Sequence, residues 1–360
     1  MEQDRGQETI VLALSFLITA GIAGGLLWMF RGSFTKPRDQ AGTTPTPPVV
    51  SSTPGPDTSP AVVPPPVANP PSATTAVPTG TFNYGGSTTW APIRGIVDPE
   101  ITREYPQFKL RYVDPIGRTP GSGTGIQMLI DRQLSFAQSS RSVKDEEQAR
   151  AQMRGFSLRE VDIAIDGLVA VVNNDLPVQG ITVDELGDIY LGKIRNWQEL
   201  GGPNLPITPY SRRLEDGGTV EFFHEYVLGK RGFGSNVQYI YSTTPALREV
   251  SKNRGGIYYA TAPEVVPQCT VKPLALGRRK GKYVKPYNAP LVPPNRCPAE
   301  RNSINFAAFQ SGEYPITRKL FVITRDENNL DRQAGDFYAE WLLSPRGQEL
   351  VAKAGFVPLR

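Results

Sequence analysis

The sequence predicts an α/β domain carried on an apolar amino-terminal span and a proline-rich tether. Three observations lead there. Strand-like and helix-like stretches alternate from Thr81 onward, 13 of the 34 prolines fall between Pro37 and Pro78, and Ile10 to Phe30 is 21 residues without a charge.

The apolar stretch comes first. At 1.5 Å per residue it reaches about 30 Å, the thickness of a bilayer core, with Trp28 near its end where an interfacial aromatic belongs. It reads as a single transmembrane helix over 10–30. A cleaved signal peptide is the competing reading, since Ala20-Gly21-Ile22-Ala23 offers small residues. The lack of a basic leader and the apolar run on to Phe30 favour an uncleaved anchor. Arg31, Lys36 and Arg38 follow the span, against Arg5 before it. Counted alone, these basic residues favour a cytoplasmic carboxy-terminal domain.

Residues 31–79 hold the proline excess and read as a disordered linker. Proline fixes φ and removes a backbone donor, so such a stretch stays extended and builds no core. From Thr79 onward 21 prolines are spread over 282 residues, an ordinary density, and the length suffices for one large domain or two lobes.

Within that part, Lys109–Val113, Val161–Ile165, Gln238–Tyr241 and Gly256–Tyr259 read as strands. Thr182 and Glu185 form a capping box that opens a helix through Leu191. Leu330, Ala334, Phe337 and Trp341 keep helical spacing, and Ser344-Pro345 restarts a helix that Gly355 ends. The alternation predicts largely parallel sheets.

Composition narrows the chemistry. A net charge of +4, from 39 basic and 35 acidic residues, is too small and dispersed to argue for nucleic acid. A single histidine, His224, and two cysteines, Cys269 and Cys297, cannot supply an ordinary zinc site, and no metal or other cofactor is expected. The cysteines flank a proline-rich excursion of 27 residues. They read either as a disulfide, which needs an oxidising compartment, or as two separate thiols.

Four polar turns carry the functional signal. They are Gly85–Pro92 (GGSTTWAP), Gly121–Ile126 (GSGTGI), Ala137–Arg141 (AQSSR) and Ser211–Thr219 (SRRLEDGGT). Each sits between a strand-like and a helix-like stretch. Such turns gather free backbone N–H groups, hydroxyls and the positive end of a helix dipole, which is the making of an anion site. Arginine adds a planar fork suited to an oxyanion. GSGTG lacks the Lys-Ser/Thr of a nucleotide-binding P-loop. A small anion bound without phosphoryl chemistry is the economical reading.

These turns, in this order, resemble the phosphate-binding proteins of bacterial ABC transporters. Similar segments run through nearly all of 80–360: GSTTWAPI at 86–93, AIDGLVAVVN at 164–173, ITVDELGDIYLGKIRNWQEL at 181–200, GGTVEFFHEYVLG at 217–229, GGIYYA at 255–260, YPITRKLFV at 314–322 and LLSPRGQELVAKAGFVPL at 342–359. The resemblance implies a two-lobed periplasmic-binding-protein fold (type II) with two hinge crossings. They are expected near Asp166-Gly167 and Tyr259-Ala260, so that lobe I is 80–166 with 260–360 and lobe II is 167–259. It also implies an exported, periplasmic domain on the bacterial inner membrane, against the basic count, and favours the Cys269–Cys297 bridge.

Carried over by position, the phosphate ligands would be Thr88, Thr89, Ser122, Ser139, Ser140, Arg141, Arg213, Gly217, Gly218 and Thr219. Two positions depart from the family pattern. Ser140 stands where well-studied members carry an aspartate that accepts a proton from the anion, and Asp216-Gly-Gly-Thr219 replaces Gly-Ser-Gly-Thr. The implied function is phosphate binding for ABC permease subunits, with no catalysis. The alternative is a membrane-tethered oxyanion sensor or scaffold, or a binder of another oxyanion.

Overall fold

The computed structural model describes residues 76–214 and 217–359. The predicted span 10–30, nearly all of the linker, and Asp216 lie outside the described residues. Among the described residues no helix is long and apolar enough to cross a membrane.

One strand organises the molecule. Leu158–Val172 is 15 residues long, and its two halves have different partners. Residues 158–167 pair antiparallel with Thr317–Arg325, whereas 168–172 pair antiparallel with Gly256–Thr261. The main path through the sheet runs Phe108–Tyr112, Gly80–Gly86, Phe136–Ser139, Thr317–Arg325, Leu158–Val172, Gly256–Thr261, Thr208–Ser211, Gln238–Tyr239. The outer pairs are parallel and the central ones antiparallel. The sheet is therefore mixed rather than largely parallel, because the crossing strand and its neighbours return through the hinge instead of through helical crossovers.

Each half of the crossing strand feeds its own core. On the first side Phe82, Trp90, Phe108, Phe136, Tyr338 and Trp341 pack around Ile163 and Ala164. On the second, the unbroken buried run Leu168–Val172 meets Tyr190, Trp197, Phe223 and Tyr259. This second cluster continues through Ala262, Val266, Leu276, Phe309 and Tyr314. The second hinge crossing thus falls between Tyr314 and Thr317, and not at Tyr259-Ala260. Residues 262–314 belong with lobe II because their apolar side chains are buried there. Gly167 marks the first crossing: a methyl group on it would lie 2.2 Å from the ring of Phe309, so only glycine fits.

The predicted elements have the predicted chemistry. Thr182 accepts from the Glu185 N–H at 3.1 Å, while the Glu185 carboxylate accepts from the Thr182 N–H at 2.8 Å, opening the helix Val183–Tyr190. Ser344 caps Pro345–Lys353 by accepting from the Gly347 N–H at 3.1 Å. Cys269 and Cys297 are bonded, their Cα atoms 5.7 Å apart, and close a proline-rich loop on lobe II. Loop-closure entropy over the 28-residue separation gives a stabilisation of roughly 3–4 kcal/mol. The Cys269→Ser/Cys297→Ser double variant should lose about that much in a urea unfolding series, and reductant should destabilise only the wild-type chain.

Candidate functional site

The first two turns are built around close backbone approach. Gly80–Gly86 ends in Ser87, whose hydroxyl accepts from the Thr89 N–H at 3.3 Å and so caps the short 3-10 turn Thr88–Trp90. The helix Ser122–Ile130 lies directly on that strand: a methyl on Gly125 would stand 2.5 Å from the Gly86 Cα. The glycines of GSGTG therefore serve packing as well as turning. Their effect is to bring the amino end of this helix beside Ser87.

Three serine hydroxyls meet there. Ser87 donates to the Ser140 Oγ at 3.0 Å, and the Ser122 Oγ lies 3.2 Å from it. The Ser140 N–H donates to the Ser122 Oγ at 3.0 Å. All three residues are buried. From lobe II comes the amino end of the helix Gly218–Tyr226. A methyl on Gly218 would sit 3.1 Å from the Ser140 Oγ and 3.4 Å from that of Ser122. Gly217, at φ +135°, takes the preceding turn and lies against Arg212 and Thr88. Two helix amino ends from opposite lobes thus point their free N–H groups at one cluster of hydroxyls.

A cleft of about 330 Å³ opens beside this cluster, with Thr88, Thr89 and Pro92 on one wall and Arg212, Thr219 and Thr243 on the other. Behind the wall lies a buried cation. Arg318 and Asp166 are direct cross-strand partners at the hinge, and the guanidinium donates to the Asp166 carboxylate at 2.9 Å. Its other nitrogens donate to the Gly218 carbonyl at 3.0 Å, the Thr89 hydroxyl at 2.9 Å and the Thr219 hydroxyl at 3.1 Å. Complete burial pushes the Asp166 carboxyl up to about 6, with the Arg318 guanidinium pulling the other way.

Thr88, Thr89, Ser122, Ser140, Gly217, Gly218 and Thr219 lie together here. Three residues do not join them. The Ser139 hydroxyl turns back on its own loop, donating to the Arg141 carbonyl at 2.6 Å. Arg141 is drawn into a two-point ion pair with the buried Glu147 at 2.8 and 2.9 Å, with Glu221 3.5 Å from its Nε. Its charge is neutralised on the rim and is not presented to the serines. Arg213 stacks on the Tyr239 ring, 5.0 Å from its centroid, while the neighbouring Arg212 faces the cleft. His224 lies half-buried on the Gly218–Tyr226 helix near Phe233.

Sequence reasoning missed Ser87, Asp166, Arg212 and Arg318. A signal existed for two of them. Asp166 interrupts an apolar strand, and Arg318 breaks another, and charges in a buried strand need a partner.

Residues 71–346 match the family model of the PBP superfamily domain. The chain belongs to the PBP superfamily. Among curated relatives, the phosphate-binding protein PstS of Pseudomonas aeruginosa is 28% identical over 295 residues, covering 78% of this chain and 83% of that protein. The PstS protein of Staphylococcus epidermidis is 26% identical over 282 residues, covering 77% of this chain and 78% of that protein. An ABC-type phosphate transport receptor from Vibrio cholerae shares the fold, with a TM-score of 0.59 at 20% identity, over 78% of this chain and all of that one. As a PBP-superfamily member the chain is a binding protein and not an enzyme.

The raised carboxyl at Asp166 has a consequence for stability. Its ordinary value is 3.8, so the folded protein holds this proton more tightly than the unfolded chain. The stability it contributes is present below about pH 4 and is lost as pH rises through about 6. The difference in unfolding free energy between wild type and Asp166→Asn should accordingly fall between those limits and be flat above pH 7. Urea unfolding across that range checks it.

Proposed function

We propose that the chain binds inorganic phosphate between its two lobes, as the substrate-binding component of a phosphate ABC transport system. The observation that carries this is the cluster of Ser87, Ser122 and Ser140, met directly by the amino end of Gly218–Tyr226 beside the cleft. Serine and threonine hydroxyls, free helix N–H groups and one arginine fork are the donors a tetrahedral oxyanion needs. The names of the relatives, which are phosphate-binding proteins, support phosphate as the anion.

In this reading the ligands are Thr88, Thr89, Ser122, Ser140, Gly218 and Thr219, together with Ser87 and Arg212. Ser139 and Arg141 shape the rim, and Arg213 is outside the site. Residues 10–30 anchor the chain in the inner membrane in a single pass, and the proline-rich tether holds the domain outside the cytoplasm. An oxidising compartment suits the bonded pair Cys269 and Cys297. The closed domain would pass its anion to permease subunits.

Titration calorimetry of the full chain with phosphate tests the reading directly. Heat of binding and a raised melting temperature are expected; neither appearing at millimolar phosphate would overturn it. Arg212→Ala should lose roughly 2–4 kcal/mol of affinity, because it removes a partly desolvated partner of the anion. Arg213→Ala, on the surface, should change it by less than about 0.5 kcal/mol. Gly218→Ala should weaken binding while leaving the fold intact, since its methyl would press on the Ser140 hydroxyl at 3.1 Å.

A further inference from the structure

Arg318 reaches more of the site than any residue the sequence singled out, yet it lies behind the wall. Its guanidinium is 2% exposed and fully committed: to Asp166 on the adjacent strand, to Thr89 on lobe I, and to the Gly218 carbonyl and Thr219 hydroxyl on lobe II. The Asp166 partner stands one residue before the glycine at which the crossing strand changes lobes. So one planar group, fixed at the hinge, holds the amino ends of two cleft-lining segments, one from each lobe.

We propose that Arg318, held by Asp166, is a positioning residue that couples closure of the lobes to occupation of the cleft, without itself being an anion ligand. This rests on the phosphate reading above. The Gly218 carbonyl and the Thr219 hydroxyl belong to the first turn of the lobe II helix, so their bonds to Arg318 form only when that helix end approaches the hinge. Once formed, they set the helix N–H groups opposite Ser140 and Ser122. A guanidinium can serve four acceptors in one plane; a lysine ammonium offers three donors from a single point and cannot span both lobes. An anion bridging the serines and the helix end would favour the same closed geometry, and each contact would favour the other.

The test compares the full-length chain with Arg318→Lys, which keeps a cation beside Asp166 but removes the fork. Two exposed residues on opposite lobes, Met153 and Tyr241, are replaced by cysteine for distance labels; the two native cysteines are bonded to each other. Wild type should shorten its inter-label distance on phosphate addition. Arg318→Lys should bind phosphate about tenfold or more weakly, mainly through faster dissociation, and should shorten incompletely. Losing the fork at a buried pair lowers the phosphate-free melting temperature in either case, so closure and dissociation are the discriminating readouts: a merely structural role leaves both normal.

A double-mutant cycle with Asp166→Asn, which keeps the fork but loosens its anchor, supplies the second measurement. Loss of closure should be less than additive in the double variant, because Asp166 acts on the cleft through Arg318. Should Arg318→Lys fail to fold, Asp166→Asn alone should still slow closure, although Asp166 is no ligand of the anion. A wild-type chain that binds no phosphate overturns the phosphate reading, and this inference with it. A wild type that binds and closes, beside an Arg318→Lys variant that does the same, or additive variants, overturns the inference alone.

Discussion

The pairing of Asp166 with Arg318 is the constraint on which the cleft depends. Two charges removed from water cost several kcal/mol each, and only good geometry with every remaining donor satisfied offsets that cost. Here the offset is distributed. One face of the guanidinium meets the carboxylate on the neighbouring strand, and the remaining donors go to a carbonyl and two hydroxyls that belong to different lobes. Because an unsatisfied buried donor is expensive, the pair penalises any arrangement in which those three acceptors drift apart. The hinge is thereby tied to the site through the chemistry of one side chain.

Around that anchor, the cleft gathers positive potential without relying on exposed cations. The cation nearest the third turn, Arg141, is neutralised by Glu147, and Lys144 beside it bonds to Glu221 at 3.0 Å and to Glu225 at 2.9 Å. Both of those acids sit on the lobe II helix whose amino end faces the serines. These rim pairs also join the lobes. Being partly exposed, they contribute little individually and weaken with salt. Hydroxyls, backbone N–H groups and the Arg212 side chain line the interior. Their dipoles are fixed in place by capping and by glycine packing, so little reorganisation is needed when an anion arrives.

Much of this was legible in the sequence, for definable reasons. Caps and breakers act over three or four residues, so Thr182–Glu185 and Ser344-Pro345 read correctly from local spacing alone. The glycine-rich turns were legible for the same reason. What escaped depends on contacts across long separations. Arg318 and Asp166 are 152 residues apart, and each alone resembles the polar member of an alternating strand. Arg141 read as a ligand because its neutralising partner, Glu147, reads as an ordinary acid in the first turn of a helix. Arg213 and Arg212 are indistinguishable by composition; only the backbone direction leaving Thr208–Ser211 decides which one faces inward. The second hinge crossing was misplaced because the strand Gly256–Thr261 looks like an end of lobe II, whereas the apolar side chains of 262–314 continue into the same core.

The serine cluster also constrains how the cleft treats its anion. A carboxylate can only accept a hydrogen bond, so a site lined by one favours an anion that still carries a proton and repels one that does not. Ser140 offers a hydroxyl, and a hydroxyl both donates and accepts. Its two serine neighbours are hydroxyls as well, 3.0 and 3.2 Å from it. Selectivity in such a site cannot come from a fixed acceptor among the serines. It has to come from shape and from the number of donors that reach the anion at once, which returns the question to closure. The helix end at Gly218 supplies donors only when the lobes are drawn together, and the group positioned to draw them together is the buried arginine at the hinge.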